Sequence, residues 1–208
     1  MRRRVPEAVR RRELVEAAFR VAGREGIAGV TVRAVAAEAR VSHALILFHF
    51  GSKENLVAEL LDWLIETSSA LEMPDDVARL PGARERLHAL LRGELERVVR
   101  DSDRTRVFLE FWALGAHDAR IGARVRTELA RHRAAFLAII DDVLQSDPAF
   151  FAGVTAEGLA ALAVSWIQGC AMQMLVDPEH VDVDAYLDAV MCGLGARTRE
   201  AAAPVAPS

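Results

Sequence analysis

The run Thr31 to Leu56, TVRAVAAEARVSHALILFHFGSKENL, constrains the fold more than any other stretch of the chain, because it starts three helices in 26 residues. Thr31 suits an N-cap, and Val32, Val35, Ala36 and Ala39 follow at i, i+3, i+4 and i+7, so the helix they form buries one face. Alanine on that face lets a neighbouring helix come close. After the turn Ala39-Arg40-Val41, Ser42 caps a second helix, His43 to Phe50, in which Ile46 and Phe50 point inward and the other positions outward. Gly51 ends it. Ser52 then caps a longer helix with Glu54 in its first turn, where a carboxylate suits the dipole. Two capped helices joined by about three residues make a helix-turn-helix, the build of a DNA-reading module.

The charge distribution agrees with contact to nucleic acid at one end. The formal net charge is −4, yet residues 1–56 hold 11 Lys+Arg against 6 Asp+Glu, so the rest of the chain, with 15 against 24, stands at −9. Arg2, Arg3, Arg4, Arg10, Arg11 and Arg12 cluster before and within the first helix and suit a phosphate-seeking arm. Cys170 and Cys192 lie in apolar helical sequence without a second ligand pair, which predicts reduced, buried thiols and neither disulfide nor metal site. No cofactor is expected. The N-terminal arginines lead into charged amphipathic sequence instead of an apolar signal segment, so a cytoplasmic protein is expected.

Gly158 to Val176 runs 19 residues without a charge, close to the roughly 20 that span a bilayer. Ser165, Gln168 and Gln173 interrupt it and Glu157 and Asp177 flank it, which argues against spanning and for a helix buried on both sides, in a core or across a subunit interface.

Helical periodicity dominates, so the fold class is all-α. The spacing predicts helices over Pro6–Gly26, burying Leu14, Ala17, Ala18, Val21 and Ala22; Lys53–Met73, with Leu56, Leu60, Leu64 and Leu71; Gly82–Arg100; Arg104–His117; Asp118–Gln145; Thr155–Val176; and Val183–Ala196. With the two short ones above, that makes nine. Residues 74–81 read as a polar connector and Ala201–Ser208 as a frayed tail. Three regions are expected: a DNA-binding domain over 1–52, an effector-binding and dimerisation domain over 53–200, and a disordered tail over 201–208.

The first 60 residues resemble the DNA-binding domain of the tetracycline-repressor (TetR/AcrR) family, on Gly26, Thr31-Val32-Arg33, the alanine-rich second helix, Val41-Ser42, and His49-Phe50-Gly51-Ser52-Lys53-Glu54 with Leu56. Phe111-Trp112-Ala113 and Asp177-Pro178 also resemble, loosely, the BetI-like branch of choline-responsive repressors. The resemblance implies a nine-helix homodimer that binds an inverted repeat of double-stranded DNA and is released by a small-molecule effector. It further implies that Arg33, His43, Ala44 and Leu47 face bases, and that Thr31, Ser42, Leu45, Phe48, His49 and Lys53 lie along phosphates. Arg40 stands where the family usually has glycine, at a cost of roughly 1–2 kcal/mol in the left-handed region, and is expected to reach a phosphate. Leu47 stands where tyrosine is common. Only Arg33 can pair bidentately with guanine, so direct readout is expected to be sparse and DNA shape to matter.

An effector cavity is expected among the aromatic residues Trp63, Phe108, Phe111, Trp112 and Trp166, with Glu110, His117, Gln168 and Gln173 as polar groups, and a cationic effector would meet Glu110 and aromatic faces. A four-helix dimer interface is expected on Leu159, Leu162, Trp166, Cys170 and Met174 with Tyr186, Leu187, Val190 and Leu194. Enzyme readings are weak: His117-Asp118 lacks further ligands, and no phosphate loop or nucleophile motif occurs. The alternatives are a small helical enzyme and a protein-binding module with a non-functional DNA motif.

Overall fold

The computed structural model describes residues 6–68, 74–149 and 151–195. Among these the chain is all-α, with helices α1 (Glu7–Gly29), α2 (Val32–Ala39), α3 (His43–Phe50), α4 (Lys53–Glu66), α5 (Asp75–Ala78), α6 (Ala83–Arg100), α7 (Ser102–Gly115), α8 (Ala119–Ser146), α9 (Ala156–Val176) and α10 (Val183–Gly195), and a single 3-10 turn, Pro178–His180. The tenth helix is α5, inside the stretch read as a connector. Its four residues are too few for a periodic signal, but Asp75 and Asp76 suit its first turn and Val77 is buried.

The described residues divide into two compact units, one made of those within 1–69 and 101–129, the other of those within 70–100 and 130–208. In the first, Leu14, Ala18, Val21 and Ala22 of α1 are buried with Val35, Ile46, Phe50, Leu56, Leu60 and Leu64, as the spacing predicts. Phe111 of α7 joins the same core with no exposure, and burying such a ring contributes roughly 1.5–3 kcal/mol. Gly26 breaks α1 with φ 71°, where a side chain would be strained. The helix resumes for one short turn through Ile27 before Val30.

Helix α4 ends at Glu66, seven residues short of the expected Met73. The Trp63 and Leu64 carbonyls accept from the backbone N–H groups of Thr67 and Ser68, and also from side chains: the Thr67 hydroxyl donates to Trp63 at 2.6 Å and the Arg104 guanidinium donates to Leu64. Leu71 and Met73 lie outside the described residues, as do Arg2, Arg3, Arg4 and the tail 201–208. At the corner between α7 and α8, Gly115 and Gly122 allow the two backbones to touch: a Cβ on Gly122 would stand 2.5 Å from the Gly115 carbonyl oxygen.

In the second unit, Leu87, Leu90, Leu91, Leu95 and Val98 of α6 are buried, as are Leu159, Ala160, Ala163, Val164, Cys170 and Ala171 of α9 and Leu187 and Val190 of α10. Helix α9 is long and apolar enough to cross a membrane by length and composition, the one such helix among the described residues. Within the single chain it is not enclosed on all sides: Leu162, Met172 and Val176 are 41%, 55% and 81% exposed. Cys170 is buried, and burial pushes its thiol pKa up, whereas Cys192 is exposed, contrary to the expectation for both.

Candidate nucleic-acid interface

Three side-chain caps shape the reading head. The hydroxyl oxygens of Thr31, Ser42 and Ser52 accept from the backbone N–H groups of Ala34, Leu45 and Asn55 at 3.0, 3.3 and 3.2 Å. Thr31 and Ser42 are therefore committed to helix ends as well as exposed. Between them Arg40 closes α2 in the left-handed region, φ 56° and ψ 45°, the single positive-φ residue other than glycine among those described. Its N–H reaches the Ala37 carbonyl at 3.2 Å and the Val41 N–H reaches that of Ala36 at 2.9 Å, which satisfies two carbonyls that the helix leaves open.

The outward face of α3 is apolar. His43, Ala44, Leu47 and Phe48 are exposed there, Leu47 by 46% and Phe48 by 77%, with Arg33 exposed on α2. Arg33 and Arg40 form no ion pair among the described residues, so their charges are available to phosphates or bases. Phe48 has no group that could bond a phosphate, and its ring can offer only apolar contact. Leu45 is half-buried. His49 is also half-buried, with its Nδ1 enclosed and unpartnered and its ring packed edge-on against Phe48 at 5.2 Å between centroids, so it packs more than it projects. Lys53 is half-buried, its Nζ 3.5 Å from the Ala28 carbonyl oxygen.

The other arginines of the head hold it together. Arg20 and Arg24 of α1 both bind Glu38 of α2, at 2.7 and 2.8 Å, and those hydrogen bonds hold the Glu38 carboxyl below its usual range. Arg10 and Arg12 pair with Glu13 and Glu16 on their own helix. Arg11, expected in a phosphate-seeking arm, turns inward instead. It grips both oxygens of Glu59 on α4 at 2.7 and 2.9 Å, donates to the His49 carbonyl at 2.6 Å, and lies 4.9 Å over the Phe50 ring. Nothing in the sequence shows which basic residues will meet an acidic partner 48 positions away.

Of the expected effector residues, Trp63, Phe108, Glu110, Phe111, Trp112 and His117 belong to the first unit, and Trp166, Gln168 and Gln173 to α9 in the second. Phe111 is solid core. Trp63 already packs on Phe19 at 5.4 Å and carries the Arg104 guanidinium over its ring, also at 5.4 Å. Trp63 and Trp112 each leave an enclosed indole N–H unpartnered. Glu110 accepts from the Ile27 N–H at 2.7 Å, while His117 and Gln173 are exposed. A cleft of about 470 Å³ opens beside Glu110, floored by Ile27, Val57, Ala58, Leu114 and Ile121 and edged by Lys53, Glu54, Asp118 and Arg120. Around Trp166 there is room for about 10 Å³ beside Leu91, Tyr186 and Leu187.

The expected dimer residues divide. Leu159, Cys170, Leu187 and Val190 are already buried within the protomer, so they support the helix pair instead of facing a partner. Leu162 is exposed, and Trp166, Met174 and Tyr186 are half-buried; the side chain of Leu194 lies outside the described residues. The periodicity missed Met172 and Val176, two further exposed apolar side chains on α9. Asp118 Oδ1 accepts from the N–H groups of Arg120 and Ile121 at 2.8 and 3.1 Å and caps α8. No group of three or more His, Cys, Asp or Glu able to hold a metal occurs among the described residues.

Comparison with known proteins decides the class of this head and body. Residues 14–60 match the family described as bacterial regulatory proteins, tetR family, and residues 83–198 match the BetI-type transcriptional repressor, C-terminal, family. The chain belongs to the TetR family of transcriptional regulators. This TetR-family chain is 25% identical over 178 residues to the HTH-type transcriptional regulator BetI of Vibrio atlanticus, covering 85% of each protein. A transcriptional regulator from Pseudomonas aeruginosa PAO1 is 25% identical, with a TM-score of 0.71 over 94% of this chain and 97% of that one. The fold is shared with a Saccharomonospora viridis regulator solved in complex with choline, 22% identical, with a TM-score of 0.71 over 90% of this chain and 96% of that one. The TetR-family protein is a ligand-responsive, DNA-binding transcriptional regulator and not an enzyme, and its BetI-type region is that of a repressor family. Regulators of this family bind DNA, act as dimers and bind small-molecule effectors.

Proposed function

We propose that this TetR-family protein is a cytoplasmic homodimeric repressor that binds an inverted repeat and leaves it when a small molecule binds. The observation that carries the reading is the exposed face of α3 beside the unpaired charges of Arg33 and Arg40. Arg33 and His43 supply polar base contacts; Ala44, Leu47 and Phe48 supply apolar contact to thymine methyls and sugars; Arg40 and Lys53 supply charge to phosphates, with Thr31, Ser42, Leu45 and His49 shaping and flanking the face. Leu162, Met172 and Val176, with Trp166, Met174 and Tyr186 between them, supply apolar surface for a two-fold partner, and two reading helices then address two half-sites about one helical turn apart. Selection from a random duplex pool tests it: enrichment of an inverted repeat supports the reading, and enrichment of no motif refutes it.

For the effector, the cleft beside Glu110 has room for a small ligand within the first unit. Three carboxylates, Glu54, Glu110 and Asp118, edge it against two cations, Lys53 and Arg120. That balance, with the BetI-named relatives and the choline-bound Saccharomonospora neighbour, favours a small organic cation over an anion. Calorimetric titration with choline and with a carboxylate of similar size separates the two, and preference for the carboxylate removes the cation reading.

A further inference from the structure

A helix leaves its final carbonyls without partners of its own, and the last two of α3 are filled by side chains, one of which is bonded on to α8 while the other is held on α4. The Phe50 carbonyl accepts from Asn55 Nδ2 at 2.9 Å, and Asn55 Oδ1 accepts from Arg120 Nη2 at 3.1 Å. The His49 carbonyl accepts from Arg11, which is held on Glu59 by two bonds. One turn further along α4, Asp62 receives Arg124 at 2.6 and 3.1 Å. The hydrogen bond from Arg11 holds the Glu59 carboxyl below its usual range, and the Arg124 charge adds to that effect.

The arrangement is specific in three ways. Arg120 and Arg124 are one turn apart, so they lie on one face of α8 and move together. Their partners Asn55 and Asp62, with Glu59 between, lie along α4, whose opposite side is fixed in the core by Leu56, Leu60 and Leu64. Both routes end on adjacent carbonyls in the last turn of the same short helix, next to the exposed Leu47 and Phe48. Bidentate guanidinium–carboxylate pairs tolerate little misalignment. Helix α8 continues unbroken to Ser146.

We propose that Arg120 and Arg124 are positioning residues for DNA reading, and that α8 sets the order of the last turn of α3 through the Arg120–Asn55–Phe50 chain, with Arg124 holding Asp62 on the same face of α4 as Glu59, the partner of Arg11. The proposal rests on α3 as the DNA-facing helix, the reading given above, and extends it to the route by which a change in the body reaches that helix. Neither arginine has a hydrogen bond or ion pair to α3 among the described residues.

Amide hydrogen exchange on the full chain tests this, with α2 as an internal reference because the two chains do not end there. In Arg120→Ala/Arg124→Ala the amides of Phe48 to Gly51 should exchange at least about fivefold faster while those of α2 change by less than about twofold. Arg124→Lys keeps the charge but loses the fork, and should fall between wild type and Arg124→Ala. If the double variant fails to fold, Arg120→Gln and Arg124→Lys carry the same comparison. Equal loosening of α2 and α3 means a merely structural role and overturns the proposal, as does unchanged exchange in α3. The affinity for the duplex selected by the wild-type protein should fall in step with α3 exchange. If the wild type selects no duplex, the DNA reading fails, while the exchange comparison still decides the relay.

Discussion

The carboxylate of Glu110 on α7 accepts from the backbone N–H of Ile27 at 2.7 Å, and the missing side chain of Gly26 makes room for it: a Cβ there would stand 3.0 Å from Glu110 Oε2. The link between α1 and α2 is thereby fastened to α7. Glu110→Ala should destabilise the protein by about 1–2 kcal/mol, since it leaves a part-buried N–H without its charged acceptor, and Glu110→Gln should cost less because an amide oxygen still accepts. Urea unfolding of the three proteins checks the order. Equal stability of all three would mean that the bond contributes nothing.

Gly122 and Gly93 give opposite results to one substitution. Gly122→Ala drives a methyl into the Gly115 carbonyl and should cost roughly 1–3 kcal/mol. Gly93 lies exposed within α6 with no atom near its Cβ position, so Gly93→Ala should gain up to about 1 kcal/mol. Thermal unfolding of both variants measures the difference, and a stabilised Gly122→Ala would contradict the close approach of α7 and α8.

The helices and caps of the reading head were legible because their signals are local. Thr31, Ser42 and Ser52 cap where their spacing predicts and Gly26 breaks α1, while the left-handed turn at Arg40 is what the family resemblance implies. What the sequence did not show depends on contacts between distant segments. Arg11 looks like any other member of its basic cluster until Glu59 is brought to it, and the bond from the Ile27 N–H to Glu110 joins residues 83 positions apart. On α9 the periodicity is nearly featureless, so it could not separate Leu159 and Cys170, which face the protomer, from Met172 and Val176, which do not. The expected polar connector hid α5 because four residues carry no period.

Acid should release the Arg11 clamp. Arg11 bonds the charged form of Glu59 and holds that carboxyl below its usual range, so in this window the unfolded chain takes up the proton first. The stabilisation is therefore complete above the ordinary glutamate value near 4.3 and is lost as pH falls through the lowered folded-state value. Glu59→Gln should be less stable than wild type at neutral pH, and the gap should close as pH falls through that window. Urea unfolding at several pH values reports it. A gap of constant size would mean that the charge on Glu59 does not matter.

Arg40→Gly separates stability from DNA contact. Glycine relieves the left-handed strain, worth roughly 1–2 kcal/mol in a non-glycine residue, so the variant should unfold at higher urea concentration. Losing one phosphate contact should weaken binding to all duplexes alike and lower the salt slope by about 1. A variant that lost discrimination between sequences would instead place Arg40 on a base.

Arg33→Ala should have the opposite signature, losing roughly 1–3 kcal/mol of preference for the selected duplex over a scrambled one while binding to the scrambled duplex falls little. Equal losses on both would remove Arg33 from base reading.

The most direct measurement is the mass of the complex on the duplex recovered by selection, by sedimentation at moderate salt, compared with a duplex carrying one intact half-site. The account predicts two chains on the full inverted repeat and a large loss of affinity when one half-site is scrambled. One chain per duplex, or equal affinity for the full and half sites, would contradict it.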